Sequence, residues 1–152
     1  MNQLRRTFLK LSGAALALGA GLLKTTGEAL AAPWNQAAFE SKAVADAVKS
    51  LGAANLIDNK DIIITAPDIA ENGAVVPIAV TSKIPNTQSI SIIAEKNPFP
   101  LTSTHEVAHG GEGYVSVRLK MGQTSNVRAG VKADGKFYTA IKEVKITIGG
   151  CG

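Results

Sequence analysis

Residues 136–152 read KFYTAIKEVKITIGGCG, and this stretch decides the fold. Val144, Ile146 and Ile148 alternate with Lys145 and Thr147, the period of two that gives a strand one core face and one polar face. The run from Lys136 to Ile148 is long enough for two strands or one bent one. Gly149, Gly150, Cys151 and Gly152 follow, with almost no side chain to pack and a large backbone entropy to lose on ordering. The end of the chain therefore reads as a strand anchored in a core, carrying a mobile arm. Four residues at about 3.3 to 3.6 Å each reach on the order of 13 Å.

Cys151 is the only cysteine. A core cysteine is among the most buried residues, whereas this one follows the last possible strand, with nothing after it that could cover it. Alone, it closes no intrachain disulfide, so it is either intermolecular or chemically employed. Nucleophilic catalysis would need a base fixed beside the sulfur, which an arm of glycines does not hold. Activation would have to come from partners.

Working outward, β-branched runs alternate with turn residues. They are DIIITAP (61–67), AVVPIAVTSK (74–83), SISIIAEK (89–96), YVSVRLK (114–120) and SNVRAGVKA (125–133), at the spacing of a β-sandwich. Asp134-Gly135 sits between apolar runs as a hairpin turn, and Asn72-Gly73 is a second turn. Pro77 pushes its strand toward a sheet edge or a bulge. KNPFPLTS (96–103) reads as an extended crossover and AHGGEG (108–113) as a flexible loop. Residues 34–51 lack Gly and Pro and place Phe39, Ala43, Ala47 and Leu51 on one stripe, which predicts a single amphipathic helix closed by Gly52. The expectation is a mainly β, antiparallel sandwich with one N-terminal α-helix and a C-terminal arm.

The N-terminus reads as an export signal. Arg5-Arg6 precedes an apolar run, Leu11 to Leu23, of 13 residues, short of the roughly 20 needed to span a bilayer, so no membrane anchor is expected. Ala29 and Ala31 suit cleavage ahead of Ala32, with a cut ahead of Pro33 as the alternative. LRRTFLK (4–10) resembles a twin-arginine signal, with Leu4 where that motif usually has Ser or Thr, which implies a periplasmic protein exported folded. The domains expected are a cleaved leader at 1–31, a helix and sandwich at 32–148 and the arm at 149–152. Arg5, Arg6, Lys10 and Lys24 against Glu28 put +3 of the +4 net charge in the leader, leaving +1 outside it. That balance, with Arg118 and Arg128 the only arginines outside the leader, points away from nucleic acid.

HEVAH, His105 to His109, spells the zinc-peptidase pattern H-E-x-x-H. The chemistry needs a helix, so that His105 and His109 share a face and Glu106 activates a bound water. Pro98 and Pro100 upstream, and Gly110, Gly111 and Gly113 downstream, argue for a surface loop or strand, and no third ligand is marked. Two other readings stay open: a metal-dependent hydrolase using these three residues, and a structural sandwich dimerised through a Cys151 disulfide.

PDIAENGAVVPIAV (67–80), EKNPFP (95–100), a Trp-Asn start at Trp34, the twin-arginine leader and the terminal VKITIGGCG together resemble the Y-subunit family of the Sox sulfur-oxidation system. The resemblance covers nearly the whole chain. The family commonly ends Gly-Gly-Cys-Gly-Gly, and this chain has one glycine fewer. The resemblance implies an immunoglobulin-like sandwich that acts as a sulfur carrier, with no catalytic residues and no cofactor of its own. Cys151 would be the attachment point and Gly149, Gly150 and Gly152 the arm. It implies a heterodimer with a small Z subunit (SoxZ-like), itself a sandwich protein without a signal, so that folded export carries both. It further implies docking to a haem enzyme that loads thiosulfate as an S-thiosulfonate, a dimanganese hydrolase that releases sulfate and leaves a persulfide, and a molybdenum and haem sulfane dehydrogenase. Pro77's strand and the helix are possible contact surfaces.

Overall fold

The run that closes the chain forms one long strand, and the other elements arrange themselves around it. The computed structural model describes residues 34–53 and 55–147; the expected leader at 1–31, Ile148 and the arm, Gly149 to Gly152 with Cys151, lie outside them. In chain order the elements are α1 (Gln36–Glu40), α2 (Val44–Ser50), β1 (Leu56–Asp58), β2 (Ile62–Thr65), β3 (Ile69–Ala70), β4 (Val76–Ser82), β5 (Thr87–Ala94), β6 (Leu101–Glu106), β7 (Tyr114–Leu119), β8 (Ser125–Ala133) and β9 (Lys136–Ile146).

β8 and β9 form the expected hairpin around Asp134 (φ 49°) and Gly135 (φ 73°), both in the left-handed region that a two-residue turn of this kind requires. The large sheet runs β1-β9-β8-β5-β6, with β3 on the far part of β9, and the small one runs β2-β4-β7. The sandwich is as expected, but it is not wholly antiparallel: β1 and β3 pair with β9 in parallel, along the edge that β8 leaves open. Both are too short to carry a period of their own. β9 is a single strand of 11 residues rather than two.

Between the sheets lies the main core, with Ile78 and Val80 from β4, Ile90 and Ile92 from β5, Val127 and Val131 from β8, and Val144 from β9. Ile93, next to Ile92, points the other way and packs with Leu101 under Ala38, Ala47 and Val48 of the helices. β5 is therefore buried on both faces, which explains its near-continuous apolar run after Ser91.

The single helix expected over 34–51 is two. Ser41 leaves α1 with extended backbone while its hydroxyl donates to Ala37 O at 2.6 Å, and Ala43 is extended again before α2. Asn35 caps α1 by accepting from Ala38 N, and its Nδ2 donates to Ser50 O at 2.8 Å. Over 15 residues a straight helix would hold those two groups about 22 Å apart, so the chain must reverse between them. The reversal buries Ala38 and Ala47 together and leaves Ala43 of the expected stripe exposed. Gly52 closes α2 at φ 86°, as read.

Pro77 is also placed differently. β4 is the middle strand of its sheet, but β2 covers it only from Ala79 to Ser82, so at Pro77 the strand has β7 alone for a neighbour and the missing N–H costs no ladder bond on the β2 side. The extended crossover ends at Pro100, where β6 begins.

Substituting Ile92→Ala should lower the free energy of unfolding by about 2–5 kcal/mol in urea titration, since it empties the centre of the core. Ile141→Ala, at an exposed position on β9, should stay within about 0.5 kcal/mol.

Candidate functional site

Of the site read from the sequence, Cys151, Gly149, Gly150 and Gly152 lie outside the described residues, but the strand end that carries them is described to Thr147. Successive N–H groups there are taken up on alternate sides. Lys145 N donates to Asp68 O at 3.0 Å, Ile146 N to Thr124 Oγ1 at 3.0 Å and Thr147 N to Ala70 O at 3.1 Å. No backbone donor is left over along these three residues, so the chain is held through the end of β9 to Thr147.

Three loops frame this end, and each is pinned. In ENGAV (71–75), Asn72 Oδ1 accepts from Ala74 N at 2.9 Å, and Gly73 O accepts from Met121 N at 2.7 Å. A Cβ on Gly73 would lie 2.3 Å from Met121 O and 3.0 Å from Ile146 Cγ2, so glycine is required here for close approach, not for its backbone angles. EKNPFP (95–100) is tied to β8 by Glu95. Its Oε1 meets Arg128 Nε at 2.9 Å and Nη2 at 2.8 Å, while Asn126 Nδ2 donates to Oε2 at 3.1 Å. Both side chains of this ion pair are four-fifths buried, and each partner has further hydrogen bonds. Asn97 Nδ2 donates to Lys120 O at 2.8 Å and Gln123 Nε2 to Lys96 O at 3.3 Å, joining this loop to residues 120–124. Two of the segments that carry the family resemblance, 71–75 and 95–100, are thus both joined to residues 120–124 beside the end of β9. Sequence reasoning quoted them without seeing this role, because Glu95 and Arg128 are 33 residues apart and nothing local links them.

His105 and Glu106 fall on β6, not on a helix, and adjacent strand residues face opposite ways. His105 Nε2 and Ser103 Oγ are buried without a protein partner. His105 also lines a shallow groove of about 380 Å³ with Val107 and Glu112 among others, polar and roomy enough for water. His109 sits beyond the strand in the 107–113 loop, lining a separate cleft of about 730 Å³ with Lys83, Asn86 and Asp134. The three residues of H-E-x-x-H do not converge, and no group of three or more His, Cys, Asp or Glu able to hold a metal occurs among the described residues.

The larger cleft also lies at the opposite end of β9 from Thr147. It lies at the Asp134 turn, and β9 runs 11 residues from there to Ile146, roughly 35 Å at about 3.3 Å each. From Thr147 the sulfur-bearing residue is four residues away, at most about 14 Å.

Gly73→Ala should cost about 1–3 kcal/mol in chemical denaturation and speed hydrogen exchange at residues 145–147, because either Met121 or β9 must shift. Gly122→Ala, with nothing within 4 Å of its added Cβ, should do neither.

Comparison with known proteins follows the same outline. Residues 47–151 match the family model described as sulfur oxidation protein SoxY. Among solved structures, the sulfur carrier protein SoxY from Chlorobium limicola f thiosulfatophilum shares 39% identity over 66% of this chain and 92% of its own, with a TM-score of 0.61. A chain from a study of T cell activation by the bacterial superantigen toxic shock syndrome toxin-1 is 10% identical, covering 57% of this chain and 99% of its own, with a TM-score of 0.41. No curated protein matches.

Proposed function

This chain belongs to the SoxY family of sulfur oxidation proteins and is a sulfur carrier; from that premise we propose that Cys151 holds thiosulfate-derived groups covalently and presents them to partner enzymes in the periplasm. The observation that carries the reading is the firm anchoring of the strand end from which the cysteine segment continues. Every N–H of residues 145–147 is fixed, and the sequence then passes through Ile148 directly into Gly-Gly-Cys-Gly. A carrier needs this arrangement: a rigid base that a partner can grip, and a thin extension that enters a narrow channel.

The chemistry asks little of the carrier itself. In loading, the Cys151 thiol would lose its proton and bond to the terminal sulfur of thiosulfate, giving Cys-S-S-SO₃⁻, with the two electrons taken up by a haem-containing loading enzyme. In unloading, water would add to the sulfonate sulfur and the S–S bond to it would break, releasing sulfate and two protons and leaving a persulfide on Cys151; a dimanganese hydrolase would supply the activation of that water. A molybdenum and haem dehydrogenase would be the next partner, the outer sulfur gaining oxygen from water while the enzyme takes up the electrons. The sulfur–sulfur bonds are reversible, as a carrier that must be emptied requires. Catalytic groups sit in the partners, and this chain contributes an accessible sulfur and its mounting.

The chain works paired with a Z-type sandwich subunit. The twin-arginine leader supports export of the folded pair, since a signal-less subunit crosses only when bound.

The test is intact-mass spectrometry, without reductant, of protein isolated from thiosulfate-grown cells, beside Cys151→Ser. Adducts of thiosulfonate or sulfane-sulfur mass are expected on the parent chain, removable by reduction and absent from the variant. A bare thiol throughout, or the same adducts on the variant, would overturn the assignment. A covalent dimer that accounts for all of Cys151 would favour the disulfide-linked structural reading instead.

A further inference from the structure

Loop 71–75 clamps the end of β9 and also contains the sequence's one Asn-Gly pair, Asn72-Gly73. The Cγ of an asparagine is an electrophile, and the backbone nitrogen of the next residue is the nucleophile beside it. Glycine in that place brings no Cβ to crowd the approach. Seven asparagines lie among the described residues, and their amides stand differently. Nδ2 of Asn35 donates to Ser50 O, that of Asn86 to Asp134, that of Asn97 to Lys120 O and that of Asn126 to Glu95. In these four the nitrogen that would have to leave is tied, and Asn97 precedes a proline, which has no N–H to give up. Asn55 and Asn59 precede Leu56 and Lys60, whose side chains crowd the attacking nitrogen. Asn72 is exposed, and neither its Nδ2 nor the Gly73 N–H has an acceptor among the described residues. Its Oδ1 accepts from Ala74 N at 2.9 Å. That bond folds the side chain back over the peptide that follows it, and sets a donor on the oxygen where negative charge gathers when Cγ is attacked.

We propose that Asn72 is a self-modifying site: the Gly73 nitrogen closes onto Asn72 Cγ and converts the asparagine, through a succinimide, to aspartate and isoaspartate. The Gly73 N–H gives up its proton as the N–Cγ bond forms; the Cγ–Nδ2 bond breaks, and Nδ2 leaves with that proton as ammonia. Water then opens the ring. Cleavage between the nitrogen and Cγ gives aspartate, and cleavage between the nitrogen and the main-chain carbonyl carbon gives isoaspartate, whose main chain runs through Cβ and Cγ. Overall a water is consumed and an ammonia released, and nothing is oxidised or reduced. The loop has no slack for the extra main-chain atom of isoaspartate. Gly73 O accepts from Met121 N at 2.7 Å, Val75 N donates to Asn72 O at 3.4 Å, and a Cβ at Gly73 would lie 2.3 Å from Met121 O. Isoaspartate takes the Asn72 carbonyl out of the main chain, so the bond from Val75 is lost and Gly73 shifts against Met121. Asp68 and Ala70, whose carbonyls accept from Lys145 N and Thr147 N, then lose their support, and the end of β9 loosens. None of this requires a sulfur group on Cys151.

The experiment incubates the folded full chain in warm, mildly alkaline buffer and follows intact mass, ammonia release and peptide maps that separate aspartate from isoaspartate. The mass gain of amide-to-acid conversion should appear at Asn72 roughly tenfold or more ahead of every other asparagine, with both products present and ammonia released in step. Asn72→Ser, whose hydroxyl accepts from Ala74 N in the same way, should keep the fold in a thermal melt and lose the modification. Converted chain, separated from the parent by ion exchange, should exchange its amide hydrogens at residues 145–147 roughly tenfold or more faster, with no change at Ile78 in the other sheet. Asn72 left intact in the folded chain while it converts in urea, conversion led by another asparagine, or the same mass gain in folded Asn72→Ser overturns the proposal. So does a converted chain whose residues 145–147 exchange as in the parent.

Discussion

The structure depends on β9 being paired along both of its edges. β8 takes one edge from Lys136 to Val144, while β1 and β3 take the other at its two ends. A strand held on one side only can fray or offer itself to another chain, since its outer N–H and C=O groups are unsatisfied. Here the donors of Lys145 and Thr147 go to the β3 side and that of Ile146 goes to Thr124. The end of β9 is therefore held by hydrogen bonds from two directions. β3 is only two residues long and has no stability of its own; it exists because the loop after it is fixed to Met121 through Gly73. The Glu95–Arg128 pair does for β8 and the 95–100 loop what Gly73 does for β3.

What could be read in the sequence follows from how local each cause is. The alternation of Val144 and Ile146 with lysine and threonine, and the Asp134-Gly135 turn, are properties of neighbouring residues, so β8, β9 and their hairpin were legible. β6 was not, because LTSTHE has one large apolar residue and no alternation; it is a strand through its pairing with β5. The break at Ser41 was hidden for the same reason. SKA contains no glycine or proline, and tertiary contact through Asn35 and Ser50 decides the reversal. Cys151 stood out by position alone, whereas the residues that hold the base of its arm are scattered from Asp68 to Thr147.

H-E-x-x-H shows the converse error that spelling invites. The spacing carries zinc chemistry only at 3.6 residues per turn, where i and i+4 are neighbours. On β6 the period is two, which sends His105 and Glu106 to opposite sides, and the strand stops before His109. The five letters are the same and the geometry is different.

An arm of bounded length on a rigid base divides the molecule by distance. Points beyond about 14 Å of Thr147 are closed to Cys151, and the sandwich is more than twice that long. On the proposed role of Cys151, a sulfur group held there does not reach the cleft at the far end, and an enzyme acting on it approaches over loops 71–75, 95–100 and 120–124. Lengthening the arm would widen the reach but dilute the group over a larger volume, and shortening it would raise the local concentration while limiting how deep a channel it can enter. The distance from strand to sulfur is bounded by Ile148, Gly149 and Gly150.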